Sequence, residues 1–596
     1  MTDTAKRTFR LILVKPSHYD DLGYVISWVR SPIPANSLAC VYGIASAAAA
    51  AGRFGTTEVS IEACDETNTR IKPSKIAEDI KRHDDGMVML VGVQSNQFPR
   101  ALDIARPLRE AGIKVGIGGF HVSGTLAMLD QIAPGVQEAL DMGCFLFAGE
   151  AEEGRLEGVI EDALNGTLQD TYNFMNALPD MTGSASPILP EPVVKRTFGA
   201  NTSFDAGRGC PFQCSFCTII NVQGRKSRYR SPDDVEAIIR KNVEQGICRF
   251  FITDDNFARN TNWEDIFDRL IHLREVEMVP FRCIIQVDTS CHKIPRFIEK
   301  AARAGVRRVF IGLENINPEN LVGAKKRQNK ITDYRTMLLE WKKHGVTNYC
   351  GYITGFPTDT RERILSEVKL IMEELPVDIL EFFYLTPLPG SEDHKKLQAA
   401  GTWMDPDLNK YDLDHRVTHH PKMSDEEWEQ TYRDVWKMYY SREHRLRVIK
   451  RNAAHGISPG KTGFLVNYFW CAWNIERVHP LETGLIRRRF WTDRRPGLPR
   501  ENPLVFFTRE YIGGPLKLAR WVASYLSIIP AYMQIKAEMK KNDKRLPYTD
   551  KSLEPVVEDT EFEREMYQSE AAKAAVATET RVAAIVKKKA ETKTPA

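Results

Sequence analysis

Several things are scarce in this sequence, and each scarcity removes a class of protein. No run of 18 or more uncharged apolar residues occurs anywhere in the 596-residue chain, which argues against a membrane-spanning helix. The opening stretch, MTDTAKRTFRLILVKP, holds only a brief apolar run that passes into Pro16 and polar residues, unlike a secretory leader, so the expected location is the cytoplasm. Net charge is only +3, from 82 Lys and Arg against 79 Asp and Glu, so bulk charge gives no reason to expect a nucleic-acid partner. The eleven cysteines follow no regular spacing apart from one tight group at 210, 214 and 217. In a reducing compartment that pattern means free thiols and one metal site, not a disulfide framework.

What the chain has is length, and at about 100–200 residues per domain it predicts roughly three or four domains. Over 8–167, apolar runs at 9–14, 59–63, 87–93, 115–117 and 145–147 alternate with helical patterns such as 37–51 and 73–83. Continuous Val/Ile/Leu strands separated by helices predict an α/β domain, a doubly wound, Rossmann-like parallel sheet covered on both faces. Ligands of such sheets sit at the carboxyl ends of the strands. There the sequence places Gly118-Gly119-Phe120-His121 and Gly149-Glu150-Ala151-Glu152, turns where small residues would let a large ligand approach the backbone, or ordinary strand-to-helix turns. Residues 168–200 are rich in Pro, Ser and Gly without a sustained period and read as a linker.

A second alternation fills 201–395, with strands expected at 202–206, 249–253, 283–287, 308–312, 346–353 and 379–385 and helices such as 232–245 and 294–304 between them. Six strand-helix units predict a partial (β/α)6 barrel of the TIM type with its functional groups at the strand carboxyl ends. Residues 396–550 are mostly helical in pattern and rich in Trp, Tyr and Arg, and 551–596 is an Ala-, Lys-, Glu- and Thr-rich tail, expected to be disordered or a lone helix.

Directly after the first barrel strand comes Gly207-Arg208-Gly209-Cys210-Pro211-Phe212-Gln213-Cys214-Ser215-Phe216-Cys217. Three thiolates on one tight loop can bind three irons of a 4Fe-4S cluster and leave the fourth open. A structural zinc would want a fourth Cys or His, commonly in paired C-x2-C knuckles, and Cys248, the nearest other cysteine, is isolated. The C-x3-C-x2-C spacing, with Phe216 as the aromatic before the last cysteine, resembles the signature of the radical S-adenosylmethionine (SAM) superfamily. The resemblance implies that the open iron chelates the amino and carboxyl groups of the SAM methionine, and that electron transfer cleaves the sulfonium to a 5'-deoxyadenosyl radical.

Further strand ends resemble the same family. Thr253-Asp254-Asp255-Asn256-Phe257 is similar to the segment near the methionine amino group, although a helix N-cap would also suit Asp255. Ile311-Gly312-Leu313-Glu314-Asn315 puts a carboxylate where the ribose hydroxyls lie, and Gly351-Tyr352-Ile353-Thr354-Gly355-Phe356-Pro357 matches G-x-I-x-G-x-P along the adenine. Tyr384-Leu385-Thr386-Pro387-Leu388-Pro389-Gly390-Ser391 closes the sixth strand in the same manner. One departure is Gln286-Val287-Asp288, where relatives often carry Arg before the Asp position.

An α/β domain, a linker and this barrel together resemble the cobalamin-binding subclass of radical SAM enzymes. The two glycine turns resemble its G-G-x-H and G-E-x-E segments, and Val91-Gly92-Val93-Gln94-Ser95 resembles another of its strand ends. The cobalt-ligating D-x-H-x-x-G of a classical cobalamin domain is replaced by Lys15-Pro16-Ser17-His18-Tyr19-Asp20-Asp21-Leu22-Gly23. Lone histidines such as His18 and His121 are more often surface or capping residues than ligands. The resemblance implies a 4Fe-4S cluster, SAM and cobalamin as cofactors, an electron donor of the flavodoxin or ferredoxin type, and C-methylation of an unactivated carbon in a small molecule or lipid. An oxidative cyclisation, as in anaerobic magnesium-protoporphyrin ester cyclase, uses the same parts. Methylthiotransferases acting on RNA also join an α/β domain to this barrel, but they carry a second cysteine triad, whereas Cys40, Cys64 and Cys144 are widely separated here. A nonenzymatic reading, with a structural cluster or zinc, leaves the 351–357 segment without a purpose.

In the C-terminal region, 464–470, 487–491 with Arg494 and Arg495, and 516–526 interleave basic residues with Trp and Phe. Such a pattern suits peripheral contact with an anionic membrane, suits RNA equally, or marks a helical cap over the barrel.

Overall fold

The computed structural model describes residues 6–326 and 329–555. The first part of the chain supplies β1 (Thr8–Lys15), β2 (Ser27–Arg30), β3 (Glu58–Asp65), β4 (Asp85–Leu90), β5 (Lys114–Gly118), β6 (Phe145–Ala148) and β7 (Thr171–Asn173). Six of these strands form one parallel sheet in the order β3-β1-β4-β5-β6-β7. The order reverses beside β1, the switch point of a doubly wound sheet, where the carboxyl ends leave a crevice. The central strands are apolar on both faces because helices cover both, and their side chains divide between two separate core clusters, one on each side.

The second part supplies β8 (Asn201–Phe204), β9 (Gly207–Arg208), β10 (Arg228–Tyr229), β11 (Arg249–Ile252), β12 (Arg282–Val287), β13 (Val306–Glu314), β14 (Thr347–Thr354) and β15 (Ile379–Tyr384). Here the six long strands run side by side in chain order, from β8 through β11, β12, β13 and β14 to β15, all parallel. Among the described residues no pairing joins β15 back to β8, so the sheet is an open barrel. Capped helices return the chain between strands. Pro232–Glu244, for example, starts with the reciprocal Ser231 and Asp234 capping box.

Three features depart from the expected organisation. The stretch read as a linker opens with β7, which pairs with β6 at the edge of the first sheet. Its remainder is anchored by buried Met181, Leu189 and Val194, so proline and glycine content there marks irregular but packed chain. Second, β2 pairs antiparallel with β16 (Leu485–Arg488), with Arg487 opposite Trp28; the C-terminal region is thereby stitched to the first. Third, the expected tail begins ordered. Lys551–Leu553 forms a 3-10 turn, Ser552 is buried against Asp550, and Asp550 takes a 2.7 Å bond from Arg451. The rest of that tail, 556–596, lies outside the described residues.

The C-terminal helices pack against the last barrel strand. On the helix Asp425–Tyr439 and just after it, Tyr432, Tyr439 and Tyr440 are fully buried and donate hydroxyl bonds to the carbonyls of Phe382, Val377 and Leu380. Their side chains and those of the barrel belong to a single core cluster. From the stretches weighed as a helical cap, Leu465, Val466 and Phe469 belong to the same cluster.

Candidate functional site

The cysteine loop is fixed at its start by backbone, not by metal. Strands β9 and β10 pair antiparallel, Gly207 with Tyr229 and Arg208 with Arg228, and so close the loop that carries Cys210, Cys214 and Cys217. Gly209 lies at φ +88°, where a Cβ would sit 2.4 Å from the Lys226 carbonyl oxygen, so the residue before the first cysteine must be glycine. Asp254 accepts the Ala206 and Gly207 amides at 2.7 and 2.8 Å, and Asp255 accepts the Gly209 amide at 3.0 Å. Burial pushes both carboxyls up to about 7 against those donors. Both aspartates therefore hold the loop, and Asp254 also takes Asn260 on its second oxygen.

Burial raises the Cys210 thiol to about 11 and the Cys217 thiol to about 12. The protein alone keeps them protonated, and a coordinating cation is what would convert them to thiolates. Among the described residues no three His, Cys, Asp or Glu side chains converge closely enough to hold one metal ion. A cluster would offer each thiolate its own iron.

Behind the loop lies the carboxyl edge of the open barrel. Glu314 ends β13 at φ +61°, and its carboxylate forms an ion pair with buried Lys326. Gly312 makes room for that pair, since a Cβ there would meet Glu314 Oε1 at 2.7 Å and Lys326 Nζ at 2.9 Å. Burial alone would lower Lys326, but the Glu314 carboxylate outweighs it and holds the ammonium charged. The same ammonium lies 5.8 Å from the Phe216 ring centroid. Phe216, Ile353, Phe356 and Ala324 share one small apolar cluster, so the aromatic of the cysteine motif and the isoleucine of the 351–357 motif meet.

The other residues of that motif have local reasons. Gly355 sits at φ +97°, a Cβ there would fall 2.0 Å from Trp428, and its amide and that of Phe356 donate to Asp359 at 2.9 Å. Pro357 is exposed. Thr386 is buried and donates to the Tyr384 carbonyl at 3.2 Å. At the Gln286 departure, Arg259 supplies the guanidinium that the strand lacks and binds Asp288 at 2.7 Å.

The first sheet presents its own carboxyl edge to this one. The Glu150 and Glu152 carboxylates bind Arg208 at 2.7 and 2.6 Å, Asp205 binds the same guanidinium at 3.0 Å, and Glu150 also takes Arg228 at 2.9 Å. All but Arg228 are nine-tenths or more buried. Two arginines that flank the cysteine loop are thus held by the G-E-x-E turn of the other sheet. Nearby, the helix Phe120–Met128 touches the turn after β15, where a Cβ on Gly124 would lie 2.9 Å from the Gly390 Cα.

The glycines of the first sheet admit neighbouring chain where ligand access was expected. Gly119, at φ +144°, would place a Cβ 2.2 Å from the Val93 amide, and Gly149 faces Phe174 at 3.1 Å. A Cβ on Gly118 would meet the Phe147 carbonyl oxygen at 3.1 Å. Ser95 and His121 are brought together, with Ser95 Oγ 3.1 Å from His121 Nδ1. His121 is buried and its ring lies tilted against Phe98, with centroids 4.3 Å apart. Burial lowers it to about 3, and its Nε2 has no hydrogen-bond partner among the described residues. A neutral imidazole with one unpartnered ring nitrogen fits a bulky cofactor that brings its own polar or metal group. His18 is likewise buried, not on the surface, with Nε2 3.2 Å from Glu482 of the C-terminal region.

The sequence reading missed Lys326, Arg208 and Glu381. An arginine inside the cysteine motif was the available signal for Arg208; Lys326 has none, since its partners come from β13 and the cysteine loop. Glu381 lies on β15 opposite Gly351 of β14, fully buried with neither carboxyl oxygen bonded among the described residues. Burial raises it to about 8.

Comparison with known proteins agrees with this geometry. The Radical SAM superfamily profile matches residues 206–371. Bacteriochlorophyllide d C-12(1)-methyltransferase of Chlorobaculum tepidum is 28% identical over 302 residues, 48% of this chain, and the match spans 63% of that relative's length. Hopanoid C-2 methylase of Rhodopseudomonas palustris is 27% identical over 36% of this chain and 41% of its own. The structure of the radical SAM methyltransferase TsrM of Kitasatospora setae, with cobalamin and a 4Fe-4S cluster bound, superposes with a TM-score of 0.50 at 17% identity, covering 67% of this chain and 79% of that one. Residues 206–371 are a radical SAM domain, carried on an open parallel sheet whose carboxyl edge faces that of a doubly wound α/β sheet.

Proposed function

We propose that this protein is a radical SAM enzyme that methylates an unactivated carbon of a small molecule or lipid with the help of cobalamin. The observation that carries this reading is the clamp of Glu150 and Glu152 on Arg208, which holds the carboxyl edge of the α/β sheet against the cysteine loop. Two cofactors bound at those edges would share one interface. When bound, a 4Fe-4S cluster with SAM supplies a radical able to remove a hydrogen atom, and cobalamin supplies the methyl group.

The chain's own residues serve three tasks in this reading. Cys210, Cys214 and Cys217 hold the cluster, and Asp254 and Asp255 fix the loop that presents them. Glu314 and Lys326 form a charged pair suited to a zwitterionic ligand, with Phe216 and Ile353 giving it an apolar wall. Ser95 and His121 line the cobalamin side. The names of the methyltransferase relatives support a small-molecule or lipid substrate. Electrons come from a flavodoxin- or ferredoxin-type donor, and the C-terminal region makes peripheral contact with a membrane.

The test is anaerobic reconstitution followed by iron, sulfide and cobalamin analysis, then reduction in the presence of SAM. The expected result is a 4Fe-4S cluster, close to one equivalent of cobalamin, and 5'-deoxyadenosine that disappears in Cys214→Ala. Persistent cleavage in that variant would overturn the cluster assignment; a cobalamin-free protein with full cleavage would overturn the methylase.

A further inference from the structure

The basic-aromatic stretch at 487–495, for which the sequence left a membrane, RNA or a helical cap open, is occupied inside the fold. Arg487 and Arg489 both bind Asp20, at 2.9 and 2.8 Å, and Arg495 binds Asp407 at 2.6 Å. The unexplained surface lies just beyond it. The helix Gly514–Lys541 has only Ser524, Ile528, Ile535 and Met539 buried, the one face it lays on the protein. On another face Leu518, Val522, Leu526, Ile529 and Met533 are all exposed, Met533 by 63%. Their spacing of 4, 4, 3 and 4 residues puts them in one stripe along the helix. Upstream, Leu504 at 78%, Tyr511 at 75% and Leu516 at 61% exposure extend the apolar surface. Soluble proteins seldom leave so continuous an apolar surface in water.

Charge indicates what covers it. Between 500 and 545 the exposed ionisable residues are seven Lys or Arg and only two acids, Glu538 and Asp543. Lys536 and Lys540 continue the stripe past Met533, one and two turns on, where long stems reach along an apolar phase and leave their ammonium groups at its boundary. Trp521, Tyr525 and Tyr532 are half-buried on the flanks of the same helix, the residue types that settle at a headgroup boundary. An apolar stripe, basic surroundings and aromatic flanks on a helix lying along the protein surface match an interfacial helix.

We propose that the face formed by Leu504 to Met533 docks on an anionic lipid bilayer, with the helix Gly514–Lys541 parallel to the membrane plane. This rests on the membrane contact in the reading above but not on its radical chemistry. The apolar stripe enters the headgroup region, and the surrounding lysines and arginines attract acidic headgroups.

Flotation of the full-length protein with vesicles tests it. Wild type should float with phosphatidylcholine vesicles containing about 30% phosphatidylglycerol, and ~tenfold less with phosphatidylcholine alone or in roughly 0.5 M salt. Leu518→Glu, Leu526→Glu and Met533→Glu combined should abolish flotation, while Lys536→Glu, Lys540→Glu and Lys541→Glu combined should weaken it at least ~tenfold. Unchanged circular dichroism and 5'-deoxyadenosine formation would show that these surface variants are folded. Cys214→Ala should float as wild type does, which separates docking from catalysis. No flotation of wild type on the anionic vesicles at low salt overturns the proposal. So does unchanged flotation of the leucine and methionine variant, or a wild-type dimer that this variant turns into a monomer.

Discussion

The two parallel sheets of this protein solve the same problem by opposite means. At the carboxyl edge of the first sheet, close backbone packing sets the geometry: Gly92, Gly119 and Gly149 sit at positive φ with neighbouring chain where their side chains would be. His121 there is buried and neutral. In the second sheet charge sets the geometry, with Arg208, Asp254, Asp255 and the Glu314–Lys326 pair around the cysteine loop. The first edge combines packed glycines and a neutral His121 with the Glu150 and Glu152 carboxylates that reach across to Arg208, and the second is an array of ionised or ionisable groups. The contrast teaches that shape damage can be confined to the first edge, whereas charge damage at Arg208 reaches both.

Arg208→Ala should break the comparison most severely. It leaves Asp205, Glu150 and Glu152 buried with their shared cation removed, a loss of about 3–5 kcal/mol measured by urea denaturation. A charge-preserving Arg208→Lys should recover only part of it, because one ammonium cannot bind three carboxylates in the geometry of a guanidinium fork. Next is Gly119→Ala, which acts on shape alone. With the Val93 amide 2.2 Å from the new Cβ, it should cost about 1–3 kcal/mol at every pH. Equal losses in urea denaturation at low and high pH would show that it acts through shape.

Titration should sharpen the contrast. Glu381 in the second sheet has a folded pKa near 8, above its ordinary 4.5. The folded state therefore retains a proton that the unfolded chain releases, and stability falls as pH rises from 4.5 to 8. His121 in the first sheet has a folded pKa near 3, below its ordinary 6.5. There the unfolded chain takes the proton first, and stability falls as pH drops from 6.5 to 3. Glu381→Gln should flatten the alkaline arm and gain on the order of 1–2 kcal/mol at pH 8, leaving the acid arm in place. Urea midpoints across pH 3 to 9 would read both arms. The smallest effect is expected from Ser95→Ala, which removes one hydrogen bond to His121 and should cost about 1 kcal/mol or less.

Much of the strand framework was legible because buried parallel strands are continuous apolar runs. The expected strand at 379–385 is Ile379–Tyr384, and that at 249–253 is Arg249–Ile252. The cysteine loop was legible because its three thiols lie within eight residues. What could not be read is whatever depends on distant partners. Arg487 looked like a surface cation because its partner, Asp20, is 467 residues away. The glycines at 118, 119 and 355 invited a ligand in the sequence, and only packed neighbours such as Trp428 reveal what fills the space. Strand β7 was hidden because three residues, Thr171–Asn173, are too few to show a period.

The pairing of β2 with β16 has a consequence for synthesis. Ser27–Arg30 leaves the ribosome early, yet its partner Leu485–Arg488 follows some 455 residues later. At about 5–20 residues per second, that strand waits roughly 20–90 s with its hydrogen-bonding edge open. During that interval the nascent chain carries an unpaired edge able to capture another copy, a hazard that a chaperone or slow dilution would relieve. A strand made late thus completes a strand made early.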